Sequence, residues 1–384
     1  MSFVHVRDAS QTDGLRRDLA SSSRIALDCE AAGFHRYSDR LCLLQITTES
    51  DSYILDPLAF DPSELLRSVL EDPSIPVLMH GADYDLRLLD RDLGILLRGL
   101  FDTQVAAALL GEKALGLQAL LESRLGVSLS KKYQRADWAE RPLADGMLEY
   151  AADDTRYLFR LADVLAGELA AAGRTAWAEE ECRFLEESAT GRGDDDAEPE
   201  DPVTRVKGAR DLTPREVTAL REALEWRDRM ARERDKAPFR VVGDQPLLEA
   251  VLRRPLDQRE LAEIKGFPVG LARSEGSELL DRFDRVAQLP DEEIRPYPRS
   301  PRRGGPGRAA PDAEELAEKL KVARNKRADE LGLDRGTLMA NALVQAIAVQ
   351  RPATLEALAR LDGIRGWQVE AVGQVLLEVL DRRR

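Results

Sequence analysis

Five residues of the chain have types and spacings suited to metal-assisted chemistry at a phosphate. Asp28 and Glu30 flank Cys29 in "IALDCEAAGF" (25–34), at the end of an apolar run. Residues two apart on a strand leave the same face, so the two carboxylates point together and Cys29 points away. Asp85 lies in "HGADYDLRLL", after another apolar run and near a helix start. Acids there commonly serve the unpaired N–H groups of the first turn. Asp83 is the better-placed cap, which frees Asp85. Tyr150 and Asp154 stand four apart in "EYAADDTRYL" and share one helical face, with Asp153 rotated about 100° away. Singly, each has an ordinary reading as a solvated strand end, a helix cap or a half-buried aromatic. Together, D-x-E, D and Y-x-x-x-D bring oxygen ligands from separate elements. Hard divalent ions such as Mg2+ take such ligands. Two such ions, about 3.5–4 Å apart, can activate a water and neutralise a leaving oxyanion in an in-line displacement at phosphorus. A tyrosine hydroxyl beside the last acid could hold that water in line.

These residues need a scaffold. "SRIALDCE", "LCLLQITT" and "SYILD" read as consecutive strands whose short connections favour antiparallel pairing. "PVLMHG" is a fourth strand, running into the helical "ADYDLRLLDRDLG". Several helices follow, the longest being "DGMLEYAADDTRYLFRLADVLAGELAAAG". The pattern predicts an α/β domain, a mixed sheet flanked by helices, over 1–190. Further on, the segment from Arg227 repeats at Arg324 without gaps at an offset of 97, placing Pro255 on Pro352, Leu261 on Leu358 and Gly266 on Gly363. Coincident breaks as well as apolar positions predict two copies of one small all-α module, over 205–290 and 314–384. An acidic linker (191–204) and a Pro/Gly/Arg-rich linker (291–313) separate the blocks, both too polar to offset their ordering entropy.

Composition narrows the classes. A chain of 384 residues exceeds what one core usually serves. No apolar stretch suits a membrane span or a signal core, and three scattered cysteines form neither a disulfide framework nor a zinc site. A reducing cytoplasm fits. Residues 1–202 hold 21 Lys and Arg against 39 Asp and Glu, a net −18, whereas the remainder is +4. Broad electrostatic adhesion to nucleic acid is therefore not expected of the front half; a local metal-bridged site is.

The three acid motifs together resemble those of ribonuclease D, in the DEDDy group of 3′→5′ exonucleases on a ribonuclease H-like fold. "RLCLLQI", "FDTQVAAALLG" (101–111) and "DWAERPL" (137–143) extend the resemblance, and the tandem modules resemble HRDC domains. The resemblance spans nearly the whole chain. It implies a metal-dependent exoribonuclease with two Mg2+ or Mn2+ ions, releasing nucleoside 5′-monophosphates from RNA with a free 3′ end, tRNA precursors among them. Asp28, Glu30 and Asp154 would hold the ion that activates water. Asp28 would bridge to a second, Asp85 would help through water, and Tyr150 would orient the nucleophile. A cytoplasmic monomer with no obligate protein partner and no membrane is expected. His80, where many exonucleases have Asn, is either a contact to the terminal nucleotide or a hydrogen-bonded strand end. Gln45 either approaches the scissile nucleotide or satisfies a buried backbone group. Lys131, Lys132 and Arg141 either hold phosphate or line a solvated loop, and "RSPRRGGPGR" is an RNA contact or a spacer. A DNA exonuclease and a catalytically silent RNA-binding scaffold are the alternatives.

Overall fold

The computed structural model describes residues 3–189, 201–298 and 311–381. Strands β1 (Phe3–Val6), β2 (Ile25–Ala31), β3 (Leu41–Thr47), β4 (Ser52–Leu55), β5 (Val77–Met79) and β6 (Leu100–Asp102) form one sheet in the order β1-β4-β3-β2-β5-β6. The β2–β3–β4 meander is antiparallel, as its short connections require, and the outer strands pair parallel. The mixed sheet expected from the sequence is thus present. Strands β1 and β6 were not anticipated. At four and three residues they are too short to show alternation, and only sheet-edge pairing defines them.

Direct pairing of Asp28 with Gln45 and of Gln45 with Ile54 sets the faces of the sheet. One face carries Ile25, Leu27, Leu44 and Ile46, with Cys29 at its margin, and is covered by α1 (Asp13–Ser21), α2 (Ser63–Leu70) and α3 (Asp83–Leu93). The other carries Asp28, Glu30, Leu43, Gln45 and Ile54. It is covered by α6 (Asp145–Arg156) through Met147, Leu148, Ala151 and Ala152. Helices α4 (Thr103–Leu109), α5 (Leu117–Leu125), α7 (Leu158–Ala171) and α8 (Thr175–Ala189) complete the domain.

The two helical modules repeat as their sequences do. In the first, α9 (Pro214–Glu233), α10 (Pro238–Val241), α11 (Asp244–Arg253), α12 (Gln258–Ala262) and α13 (Val269–Gln288) surround Trp226 and Leu261. In the second, α14 (Pro311–Leu331), α15 (Arg335–Leu338), α16 (Asn341–Gln350) and α17 (Leu355–Ala359) repeat the first four. The punctuation coincides as well: Arg254 and Arg351 are both left-handed after the third helix, and Gly266 and Gly363 both have positive φ. The ends of the expected linkers are packed rather than loose. Asp201 pairs with Arg221 at 2.7 Å, and the Arg295 carbonyl accepts from Thr218 at 3.2 Å. Residues 191–200 and "RSPRRGGPGR" (299–308) lie outside the described residues. Among the described residues no helix is long and apolar enough to cross a membrane.

Candidate active site

The strand β2, interior to the sheet between β3 and β5, carries Asp28 and Glu30 on one face toward its C-terminal end. Its pairing with β3 is regular to Glu30↔Leu43 and then slips, with Ala31 opposite Leu41. Such irregularities end pairing and re-aim side chains, and are frequent beside active sites. Helix α6 packs across the same face and places Asp154 over the pair. Oxygen atoms of Asp28, Glu30 and Asp154 all lie within 4.8 Å of one another. Tyr150, one turn earlier on α6, lines the same cleft.

Among the described residues no arginine or lysine forms an ion pair with this group. Burial pushes Asp28 up to about 7, although it keeps part of its surface in the cleft. Burial, then the charges of Asp28 and Asp153, push Asp154 up to about 8. Glu30 is raised well above the carboxylate range by burial and by Asp28, Asp154 and Asp85. Three crowded carboxylates cannot all ionise cheaply without a cation. An all-oxygen donor set of this charge fits a hard divalent ion and not a soft one.

Asp85 stands outside the tight trio but within its field. Its carboxyl is buried, and burial plus the charges of Asp28 and Asp102 raise it. The expectation that Asp83 caps α3 is corrected here. Asp83 is already helical, exposed and paired with Arg87 at 2.7 Å, and Ala82 holds the cap position. No side chain caps the first turn; the two residues that lead into it are held by Asp102 from the end of β6, which accepts from Gly81 N at 2.9 Å and Ala82 N at 2.8 Å. Asp102 also caps α4, accepting from Gln104 N at 2.7 Å. This buried carboxylate fixes the loop before Asp85. "FDTQ" carried the signal, an Asp N-cap before a helix, but not its second duty across the sheet.

A cleft of about 580 Å³ opens over the carboxylates, lined also by His80, Gln118, Lys131 and Gln134. Residues 116–119, the uncapped N-terminal turn of α5, form one wall. Unpaired N–H groups at a helix start favour anions such as phosphate, and nothing in "ALGLQALL" distinguished this turn beforehand. The weaker site residues separate on this geometry. His80 lines the cleft, with Nδ1 2.9 Å from Thr103 Oγ1. Lys131 lines it too, whereas Lys132 lies over the Tyr133 ring at 4.9 Å and is not part of the wall.

Two readings fail. Gln45 is wholly buried opposite Asp28, beneath the cleft, so it does not reach a nucleotide. Nor does it satisfy a backbone group: neither amide atom has a partner among the described residues. Arg141 does not hold phosphate. Its guanidinium grips buried Asp56 through Nε at 2.7 Å and Nη2 at 2.8 Å and donates to the carbonyls of Cys42, Trp138 and Glu140. It pins the 137–143 loop, and with it Trp138, whose ring lies 6.1 Å from that of Tyr150.

The family model described as 3′-5′ exonuclease matches residues 3–170, and that of the HRDC domain matches 217–282 and 313–380. Ribonuclease D of Xanthomonas oryzae is 32% identical over 88% of this chain and 91% of its own. The chain belongs to the ribonuclease D family. In the crystal structure of Escherichia coli RNase D the likeness covers 100% of this chain and 99% of the other, at 26% identity and a TM-score of 0.69. A protein from Bifidobacterium adolescentis shares the fold over 99% of this chain, at 24% identity and a TM-score of 0.81. Membership of the ribonuclease D family makes the chain a 3′→5′ exoribonuclease by class. The acid trio and Tyr150 line the cleft at the motif positions read from the sequence, with Asp85 nearby, and the cleft wall adds Gln118, Gln134 and the start of α5.

Proposed function

We propose that this enzyme removes nucleotides one at a time from the 3′ end of structured RNA, tRNA precursors included, and releases nucleoside 5′-monophosphates. The observation that carries the proposal is the trio of Asp28, Glu30 and Asp154, within 4.8 Å of one another and without an ion-paired arginine or lysine among the described residues. Those three side chains would hold one divalent ion, with Asp28 shared with a second and Asp85 acting through water. When bound, the ions supply an activated water and charge neutralisation at the leaving oxygen. The chain's own groups do the rest. The start of α5 and Lys131 bind phosphate oxygens in the cleft. Burial and the charges of Asp154, Glu30 and Asp28 raise Tyr150 above its ordinary range. It therefore remains a phenol and orients the nucleophile by hydrogen bonding rather than acting as a base. The water oxygen attacks phosphorus, the bond from phosphorus to the 3′ oxygen breaks, and that oxygen takes up a proton as the shortened RNA's new terminus.

The E. coli relative is described as an exoribonuclease involved in structured RNA processing, which supports the substrate class. The test is digestion of a tRNA precursor with a 3′ extension, alongside RNA and DNA strands of matched sequence, with Mg2+ or Mn2+ and with chelator. The expected result is metal-dependent release of 5′-monophosphates from RNA, stopping near the folded body. Preferential digestion of DNA would favour a repair exonuclease. No mononucleotide from any substrate would leave an RNA-binding scaffold.

A further inference from the structure

The carboxylates sit where two clefts join. The second, about 470 Å³, shares Cys29, Glu30 and Gln134 with the first and runs past Tyr84 and Arg135 to Phe34. At its outer end the first helical module arrives. Ala237 N donates to the His35 carbonyl at 3.0 Å, and Arg240 Nε donates to the Phe34 carbonyl at 2.7 Å. The contact brings Phe239 of the module against Phe34 of the catalytic domain, with ring centroids 5.4 Å apart. Yet Phe34 remains 41% exposed and Phe239 51% exposed. Arg240 lies over the Phe34 ring at 4.7 Å and Arg135 at 5.8 Å, and neither makes an ion pair among the described residues.

Two half-exposed aromatic rings are left at a seam where Arg240 is held by the Phe34 carbonyl and by His35 Nε2 at 3.2 Å, and neither Arg240 nor Arg135 meets a carboxylate among the described residues. Neighbouring contacts of the same interface show the ordinary solution: Tyr37 bonds Asp228 at 3.0 Å, and Arg36 pairs with Asp235 at 3.3 Å. They are suited to single-stranded RNA. Exposed rings stack bases irrespective of sequence, and arginines beside them meet the phosphates. Of the two cations, Arg135 belongs to the front half, whose net charge is −18, and Arg240 to the remainder, which is +4. The acids of this groove are accounted for: Asp39 accepts from Tyr84 OH at 2.6 Å and from Gly33 N at 2.9 Å, and Glu30 belongs to the trio.

We infer that Phe34 and Phe239, with Arg135 and Arg240, form a composite stacking platform for bases of the single-stranded 3′ segment, upstream of the bond being cut. The first helical module thereby extends the substrate path instead of only capping the domain. This inference rests on the exoribonuclease reading above. It predicts that affinity grows with RNA length until the strand reaches Phe239, and that a dinucleotide never feels that ring.

The test separates binding from turnover. Affinity of the full chain for a labelled, unstructured RNA 20-mer is measured by fluorescence anisotropy in EDTA, and mononucleotide release is measured separately with Mg2+. Phe239→Leu, which keeps an apolar contact but loses the ring, should weaken 20-mer binding about 10-fold. It should raise KM for the 20-mer similarly while leaving kcat and the dinucleotide KM unchanged. Phe239→Trp should restore binding. Arg135→Ala, on the other domain, should weaken binding about 3- to 5-fold and flatten its salt dependence. An unchanged 20-mer affinity in Phe239→Leu and Arg135→Ala, or equal losses on 20-mer and dinucleotide, would overturn the platform. Failure of the wild-type chain to release mononucleotides would overturn the exonuclease reading, whatever the binding data show.

Discussion

Two buried acidic sites lie at the same end of one sheet, one just beyond β4 and one on β2, and are built on opposite principles. At Asp56, just beyond β4, a carboxylate that is 2% exposed meets the bidentate Arg141 guanidinium. At the end of β2, Asp28, Glu30 and Asp154 crowd together with no ion-paired arginine or lysine among the described residues; burial raises all three, and neighbouring carboxylates raise Glu30 and Asp154 further. The first site is complete and holds a loop in place. The second is incomplete by itself and is strained toward binding either protons or a metal. The contrast separates a carboxylate matched by its own cation from carboxylates that lack one more sharply than burial does, since both sites are largely shielded.

Substitutions should break the comparison in opposite directions. Asp28→Asn should lower turnover about 10³-fold or more, because charge stabilisation at the reacting phosphate is lost. Its melting temperature should hold or rise, since one repelling charge is gone. A variant retaining most of its activity would remove Asp28 from the metal site. Arg141→Ala should do the reverse at the fold. It leaves Asp56 buried and unpaired, for a loss of about 3 kcal/mol or more in denaturant unfolding. Any fall in activity should follow from looseness of Trp138 against Tyr150. If Arg141→Ala were as stable as the wild type but bound RNA weakly, the phosphate role rejected above would return. Smaller again, Tyr150→Phe should slow turnover about 10- to 100-fold with metal affinity intact. A wild-type rate would reduce Tyr150 to packing against Trp138 and Tyr133.

Metal-free stability should carry the signature of the uncompensated site. Asp28 and Asp154 have folded-state values near 7 and 8, above their ordinary unfolded values. Between about pH 4 and those values the folded chain therefore holds protons that the unfolded chain has released. The stability they contribute is complete below the unfolded value and is lost as pH rises to about 7–8. Compared with an Asp28→Asn, Asp154→Asn double variant, metal-free wild type should lose melting temperature across that window. Added Mg2+ should oppose the loss, increasingly so toward pH 8. Parallel pH profiles for the two proteins would show that the acids are not strained.

Much of this was legible in the sequence, for identifiable reasons. Period-two alternation put Asp28 and Glu30 on one face, and the four-residue spacing put Tyr150 and Asp154 on another; such local geometry survives any tertiary context. The repeat at 97 was legible because breaks and apolar positions recur together. What escaped depended on residues distant in the chain. Arg141 in "DWAERPL" looks like any loop cation until Asp56, 85 residues earlier, is seen beneath it. Asp102 reads as the cap of its own helix, and its bonds to Gly81 and Ala82 need the β5–β6 pairing. For Gln45 the sequence left a nucleotide contact and a buried backbone partner equally open, and neither holds: the strand carrying it is buried along its whole length and its amide has no partner among the described residues. Phe34 and Phe239 are 205 positions apart, and neither alone differs from an ordinary surface aromatic.

The central claim is that the β2 carboxylates form a divalent-metal site that Asp28 holds together. Calorimetric titration of Mn2+ into the metal-free full chain at pH 7.5 tests it most directly. The prediction is saturable binding approaching two ions per chain, with proton release, lost in Asp28→Asn and retained in Arg141→Lys. Binding heats that are absent, or the same in wild type and Asp28→Asn, would contradict it.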